Sequence, residues 1–298
     1  MPLKEKSIKT AVIGGDARQI FIANELVKMG YEVSVFALGG SYMSLISDKV
    51  RVEKSVEDAV CGAFLVILPI PFSRDGKSLN APYSPSKIYL NSLFDSLCDC
   101  DVVALGLSDE NTVKSLSEHC LVIDYASGEV FTLKNAFATA EGALAVIIEA
   151  IPTTLCGSVC AISGYGRIAR VLASYLRSLG ADVKIFARRE SDRAHAKMCG
   201  MEAYKISDLA HRVSDADLVI NTVPAVIINE EVLSLLPRDA KIIELASSPG
   251  GVNREAAERL KKDVINAQSL PARFSPKTAA KIVLESIFSL LSTEVQLC

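Results

Sequence analysis

Two segments of the chain repeat one arrangement of apolar and polar positions. A short β-branched run comes first, then a glycine-bearing turn, then a stretch whose apolar residues recur every three or four positions, then a second β-branched run. In the first segment, Lys9-Thr10-Ala11-Val12-Ile13 leads through Gly14-Gly15-Asp16-Ala17-Arg18-Gln19 into a helix ending near Met29 and Gly30, with a strand following from Glu32 to Phe36. In the second, Ser158 to Ile162 leads through Ser163-Gly164-Tyr165-Gly166-Arg167-Ile168-Ala169 into a helix ending at Leu179 and Gly180, with a strand from Asp182 to Phe186. Each is a βαβ opening. Two of them predict two α/β domains, each a doubly wound parallel sheet.

Further short apolar runs fit the same scheme: Val50 to Val52, Phe64 to Ile67, Asp101 to Leu105, Leu121 to Asp124, Leu218 to Asn221, Lys241 to Leu245 and Val264 to Asn266. Between them, Pro69, Pro71, Pro82 and Pro85 with Gly76 and Asn80 make Leu68 to Lys87 a long loop beyond a strand end, a place where function concentrates. A helix linking the domains is expected to begin at Thr139 or Glu141. Near the end, Ser275-Pro276-Lys277-Thr278 reads as a helix start with Ser275 as cap, and Ile282, Val283, Ile287, Leu290 and Leu291 form one apolar stripe. Such a stripe must dock, and the expected partner is the first domain. The organisation expected is residues 1–130 as an N-terminal α/β domain that carries substrate and catalysis, 131–275 as a Rossmann NADP-binding domain, and 276–298 as a helix returning to the first domain.

Composition narrows the classes of function. In 298 residues, 50% are hydrophobic, only 6% aromatic and none Trp, so the interior is aliphatic, as doubly buried parallel strands require. Lys and Arg number 32 against 35 Asp and Glu, without the basic excess of a nucleic-acid binder or a polybasic membrane anchor. Met1 to Thr10 lacks the pattern of a signal peptide, and the apolar stretch Gly142 to Ile151 is interrupted by Glu149 and too short to span a bilayer. A cytoplasmic protein with a small-molecule ligand is the expectation. Of eight cysteines, Cys98 and Cys100 form a C-x-C and Cys156 and Cys160 lie four apart. With no C-x-x-C pair and no neighbouring His, no metal site is expected.

The cofactor reading rests on Gly164-x-Gly166-x-x-Ala169. The first glycine allows the tight turn, the second lets backbone approach a pyrophosphate, and the small third residue lets helix and strand pack closely. The pyrophosphate then rests on the helix N-terminus. An NAD site needs an acid at the end of the next strand to accept from the ribose 2′-hydroxyl, but here that strand ends Phe186-Ala187-Arg188-Arg189. Guanidinium groups pair with phosphate through forked hydrogen bonds, so NADP is the expected cofactor. Gly164, Tyr165, Gly166, Arg167 and Ile168 would hold the pyrophosphate, Ala187, Arg188 and Arg189 the adenosine end. Thr222, Val223, Pro224 and Ala246 would wall the nicotinamide. The turn at Gly14 and Gly15 offers a second helix N-terminus, with Arg18, suited equally to an anion or to a purely structural role.

In order and spacing, these motifs and three more resemble one family. The additional segments are Asn135-Ala136-Phe137-Ala138-Thr139-Ala140-Glu141-Gly142, Leu245-Ala246-Ser247-Ser248-Pro249-Gly250-Gly251 and Leu270-Pro271-Ala272-Arg273-Phe274-Ser275-Pro276-Lys277-Thr278-Ala279. The family is the A subunit of dipicolinate synthase. The resemblance implies an NADP-dependent enzyme of sporulating bacteria, in the mother-cell cytoplasm, oxidising a dihydrodipicolinate derived from hydroxytetrahydrodipicolinate to dipicolinate. It also implies, as partner, a flavoprotein-like B subunit, and a homo-oligomer is expected besides. Ala272-Arg273 departs from the family's pattern, which favours Gly there. A dicarboxylate needs cationic or N–H-rich anchors, and Arg18, Ser73, Arg273 and Lys277 are the candidates. No catalytic base is assigned: His119, His195 and His211 sit on polar segments, leaving Glu141, Asp124 or water. Another 2-hydroxyacid- or shikimate-type dehydrogenase, or a non-catalytic NADP-binding subunit, are the competing readings.

Overall fold

The computed structural model of the chain describes residues 8–297. The reading of Met1–Ser7 and the eighth cysteine, Cys298, lie outside them. The chain divides into two compact units, one formed by the residues up to Asn135 with those from Ser275 onward, the other by Ala136–Phe274.

In the first unit the strands are β1 (Lys9–Ile13), β2 (Glu32–Phe36), β3 (Arg51–Val52), β4 (Leu65–Ile67), β5 (Val102–Leu105) and β6 (Leu121–Asp124). Its helices are α1 (Ala17–Lys28), α2 (Val56–Val60), α3 (Leu90–Leu97), α4 (Glu110–Leu116) and the start of α5 (Glu129–Ala150). All six strands are parallel, in the order β3-β2-β1-β4-β5-β6. Alternate residues of β1 point to opposite faces: Val12 enters the core cluster beneath α1, while Ala11 and Ile13 enter the cluster on the other side. Both faces are buried, which is why the strand reads as a continuous apolar run.

The second unit repeats this plan. Its strands are β7 (Val159–Ser163), β8 (Asp182–Ala187), β9 (Glu202–Lys205), β10 (Leu218–Asn221), β11 (Lys241–Glu244) and β12 (Asp263–Asn266). They are parallel in the order β12-β11-β10-β7-β8-β9, so the strand order reverses beside β7 as it does beside β1 in the first sheet. The helices are α6 (Arg167–Ser178), α7 (Glu190–Met198), α8 (Glu230–Leu235), α9 (Arg254–Arg259) and α10 (Leu270–Phe274). Cys160 and Ile162 face one core cluster and Ala161 the other. Both expected doubly wound sheets are present. The sequence reading missed β9, whose Glu202-Ala-Tyr-Lys carries too few apolar residues to stand out; it is the sheet's edge.

The last helix, α11 (Pro276–Leu297), returns to the first unit as expected, with Ala280, Ile282, Val283, Leu284 and Ile287 in the same cluster as Ile22, Ala23 and Leu26 of α1. Burying five aliphatic side chains stabilises that contact by several kcal/mol, about 1.5–3 kcal/mol for each of the larger ones. Ser275 does not cap α11 through its side chain: its hydroxyl is buried without a hydrogen-bond partner, and its carbonyl accepts from Ala279 N at 2.9 Å. The linking helix α5 begins at Glu129, ten residues before Thr139, because the alanine-rich stretch continues a helix already under way. It is long and apolar enough to cross a membrane by composition alone. Nevertheless its buried residues are core residues, Phe131 in the first unit and Ala140, Ala143, Val146 and Ile147 in the second. Gly142 permits a close approach, since a Cβ there would lie 2.8 Å from that of Leu270.

Candidate nucleotide site

The two glycine turns look alike in sequence and differ in space. At the second, Gly164 has φ +92°, and a Cβ on it would come within 2.3 Å of the Thr222 hydroxyl. Gly166 caps α6 in ordinary extended backbone, and among the described residues a Cβ there would meet nothing within 4 Å. The turn is thus packed below and open above, the shape a pyrophosphate requires. At the first turn, a Cβ on Gly14 would meet Ala81, Leu79 and Asn80 at 3.1–3.3 Å, and Gly15 N donates to the Asn80 carbonyl at 2.8 Å. Tyr83, on the same loop, lies against Gly39 and Gly40 beyond β2. The long loop after β4 therefore closes over the first turn, and the N–H groups of Gly15 and Arg18 are already bonded, to the Asn80 carbonyl and to Asp16.

Around the open turn, the expected residues separate by role. Tyr165 is 5% exposed: its ring is packed inward under the Arg170 guanidinium and its hydroxyl lies 3.3 Å from His195 Nδ1, so only its backbone can serve a ligand. Burial pushes its phenol up to about 12. Arg167 is exposed, Ile168 half-buried and Ala169 buried against β7. Arg188 and Arg189 follow the buried Ala187 at the carboxyl end of β8. Both are exposed and carry no side-chain hydrogen bond or ion pair among the described residues. Arg193 Nη1 donates to the carbonyls of Ala187 and Arg188 at 3.0 and 2.8 Å and fixes that strand end.

The feature that sequence reasoning missed is a buried polar chain across the last positions of β7, β10 and β11. Ser163, Asn221 and Glu244 are neighbours in the strand register, and each is at most 1% exposed. Ser163 Oγ donates to Asn221 Oδ1 at 2.7 Å, and Asn221 Nδ2 donates to Glu244 Oε1 at 2.7 Å. Glu244 also accepts from Ala246 N at 3.0 Å and from Gly251 N at 2.8 Å. Its signal was present in the sequence: three apolar runs, each ending in one polar residue. Thr222 Oγ1 donates to the Ser163 carbonyl at 2.8 Å, so Thr222, Val223 and Ala246 are held by this same chain. Pro224 is exposed beyond it.

The expected dicarboxylate anchors fare differently. Arg18 is turned inward: Nε and Nη2 donate to Asp16 at 2.8 and 2.7 Å, and Nη2 also donates to the Ile70 carbonyl at 2.5 Å. It is a structural ion pair in this structure rather than an open anchor. Ser73 is likewise committed, donating to the Ser78 carbonyl at 2.6 Å and accepting from Gly76 N within its own loop. Lys277, in the first unit, and Arg273, in the second, are exposed, the latter with its guanidinium 5.1 Å from the Phe274 ring centre. Asp124, considered as a base, accepts from the backbone of Leu107, Ser108 and Ala126, while Glu141 is exposed on α5. His119, His195 and His211 are exposed too.

Comparison with known proteins agrees with this geometry. Residues 147–270 match the NAD binding domain of the D-isomer specific 2-hydroxyacid dehydrogenases, so the open turn belongs to a dehydrogenase-type nucleotide-binding domain, the equipment of an oxidoreductase. Residues 9–126 match the N-terminal domain of the dipicolinate synthase A subunit. The chain is 29% identical to the dipicolinate synthase A subunit of Bacillus subtilis (strain 168) over 97% of each chain. Two solved structures, of the dipicolinate synthase A subunit from Bacillus halodurans and of its counterpart from Bacillus subtilis, superpose with TM-scores of 0.82 and 0.78. Both are 27% identical, the first covering 95% of this chain and 97% of its own, the second 98% of each. The resemblance to the dipicolinate synthase A subunit thus extends over nearly the whole chain.

Proposed function

We propose that this protein is the A subunit of a dipicolinate synthase, oxidising dihydrodipicolinate, formed from hydroxytetrahydrodipicolinate, to dipicolinate with NADP as electron acceptor. The observation that carries the cofactor choice is the pair of free guanidinium groups, Arg188 and Arg189, where an NAD site would present a carboxylate. Oxidation of a dihydropyridine to an aromatic ring is downhill, so the protein's task is orientation and exclusion of water more than acid catalysis or metal chemistry. When bound, the nicotinamide supplies the two-electron acceptor. The turn at Gly164 to Ala169 holds the phosphates, and the Thr222 to Pro224 and Ala246 to Gly251 segments place the ring. Arg273 in the second unit and Lys277 in the first are each exposed cations, and each is a candidate to pair with a substrate carboxylate. The reading includes a partner, a flavoprotein-like B subunit, together with self-association and a role in sporulation in the mother-cell cytoplasm.

The test is direct. Purified protein supplied with dihydrodipicolinate and NADP should form dipicolinate and NADPH in equal amounts. Replacing Arg188 and Arg189 by Asp and Ser should weaken NADP at least about tenfold while leaving NAD nearly unchanged. Equal losses for the two cofactors would remove the 2′-phosphate argument. Product that forms only after a B subunit is added would assign the chemistry to the complex, with this chain as its nucleotide-binding component.

A further inference from the structure

The Ser163–Asn221–Glu244 chain has a fixed polarity. Val223 N donates to Asn221 Oδ1 at 3.2 Å and Val223 O accepts from Asn221 Nδ2 at 2.9 Å. A backbone N–H can only donate and a carbonyl can only accept, so Val223 sets which way the Asn221 amide points. The Nδ2 edge therefore faces Glu244. Glu244 then meets three donors, one from Asn221 and two from the backbone of Ala246 and Gly251, and both its oxygens act only as acceptors. A neutral side chain at this position would aim an N–H or O–H at another donor.

These contacts tie together the two segments beyond β10 and β11. Gly251 is pressed against them so closely that a Cβ would lie 2.3 Å from Asn221 Nδ2 and 2.5 Å from the Val223 carbonyl. By the geometry of doubly wound sheets, the carboxyl ends of these strands face the nicotinamide half of a dinucleotide whose pyrophosphate rests at the β7–α6 turn. The oxidised nicotinamide ring carries a positive charge that reduction removes, and charges act strongly where water is excluded.

We propose that Glu244 is a positioning residue for the nicotinamide wall, and that its buried negative charge favours the oxidised over the reduced cofactor. This rests on the dinucleotide reading above and adds to it a residue and a redox preference. Glu244 clasps the Ala246 and Gly251 backbone directly and the Thr222–Pro224 segment through Asn221, so one carboxylate governs both the shape and the potential of that wall.

Calorimetric titration of the full-length protein with NADP and NADPH, with NAD and NADH alongside and 2′,5′-ADP as a probe lacking nicotinamide, tests it. Glu244→Gln should weaken both forms, the oxidised about tenfold more than the reduced, leaving 2′,5′-ADP unchanged. Gly251→Ala disturbs the wall and keeps the charge, so it should weaken both forms equally. An unchanged ratio of oxidised to reduced affinity in E244Q, or loss of 2′,5′-ADP binding with it, overturns the proposal and leaves Glu244 a scaffold residue. If E244Q does not fold, Glu244→Asp decides: it keeps the charge on a shorter arm, so both affinities should fall at a constant ratio, and a changed ratio overturns the proposal. Wild-type protein that binds none of the dinucleotides is a different result, which removes the dinucleotide reading itself.

Discussion

The backbone N–H of Gly15 is bonded to the carbonyl of Asn80, 65 residues further along the chain, and this contact distinguishes two turns that the sequence writes almost alike. Both follow the central strand of a six-stranded parallel sheet and both open a twelve-residue helix. The first is sealed by the chain's own loop; at the second, no atom of the described residues lies within 4 Å of where a Gly166 Cβ would sit. A single fold has thus been used twice, once as a closed scaffold and once as an open cradle.

Substitution at the two turns should therefore have opposite consequences. Gly166 has backbone angles that any residue adopts, so Gly166→Val fills the opening without strain and should cut dinucleotide affinity at least about tenfold, with the melting temperature nearly unchanged. Gly15 has φ +87°, and a Cβ would lie 2.6 Å from the Gln19 side chain, so Gly15→Ala should cost about 1–3 kcal/mol of stability with dinucleotide affinity retained. Calorimetric titration and thermal melting of the two variants check both halves. Loss of nucleotide binding in the Gly15 variant alone would reverse the assignment.

The Arg18 side chain gives a second prediction. Removing it leaves the Ile70 carbonyl without its side-chain donor and Asp16 with only the backbone N–H of residue 18, in a largely buried site, so Arg18→Ala should destabilise the protein by about 3 kcal/mol. Arg18→Lys should recover less than half of that, because a point ammonium cannot reproduce the fork to both Asp16 oxygens together with the bond to Ile70. Denaturant unfolding measures both. An Arg18→Ala protein as stable as the parent, with a raised KM, would return Arg18 to the substrate.

These cases mark where local reading of the chain stops. The strands, the helix α11 stripe and the Gly164 turn were legible because each is written in contiguous residues with a period of two or between three and four. Whether a glycine turn is open depends on a loop about sixty residues away, and no periodicity carries that information. Arg18 looked like an anion anchor for the same reason: its partner Asp16 is two residues away, but the Ile70 carbonyl that turns it inward is 52 residues away. Glu244 falls between the two. Its place at the end of an apolar run was visible beside Asn221 and Ser163, but the register that makes the three one chain appears only once β7, β10 and β11 are paired.

Tyr125, at the carboxyl end of β6, is fully buried, and its hydroxyl donates to the Leu68 carbonyl at 2.9 Å. Burial pushes its phenol well above the ordinary tyrosine value. The folded chain then keeps this proton at pH values where the unfolded chain, with a phenol near 10, releases it. Above that pH the folded state binds more protons than the unfolded one, so stability is full below about pH 10 and falls as pH rises beyond it, by up to about 1.4 kcal/mol per unit for this one group. Tyr125→Phe deletes the titration together with the hydrogen bond. It should cost about 1 kcal/mol at neutral pH and decline less steeply above pH 10 in urea unfolding at stepped pH, whereas parallel declines for the two proteins would exclude Tyr125 as a source of the alkaline sensitivity.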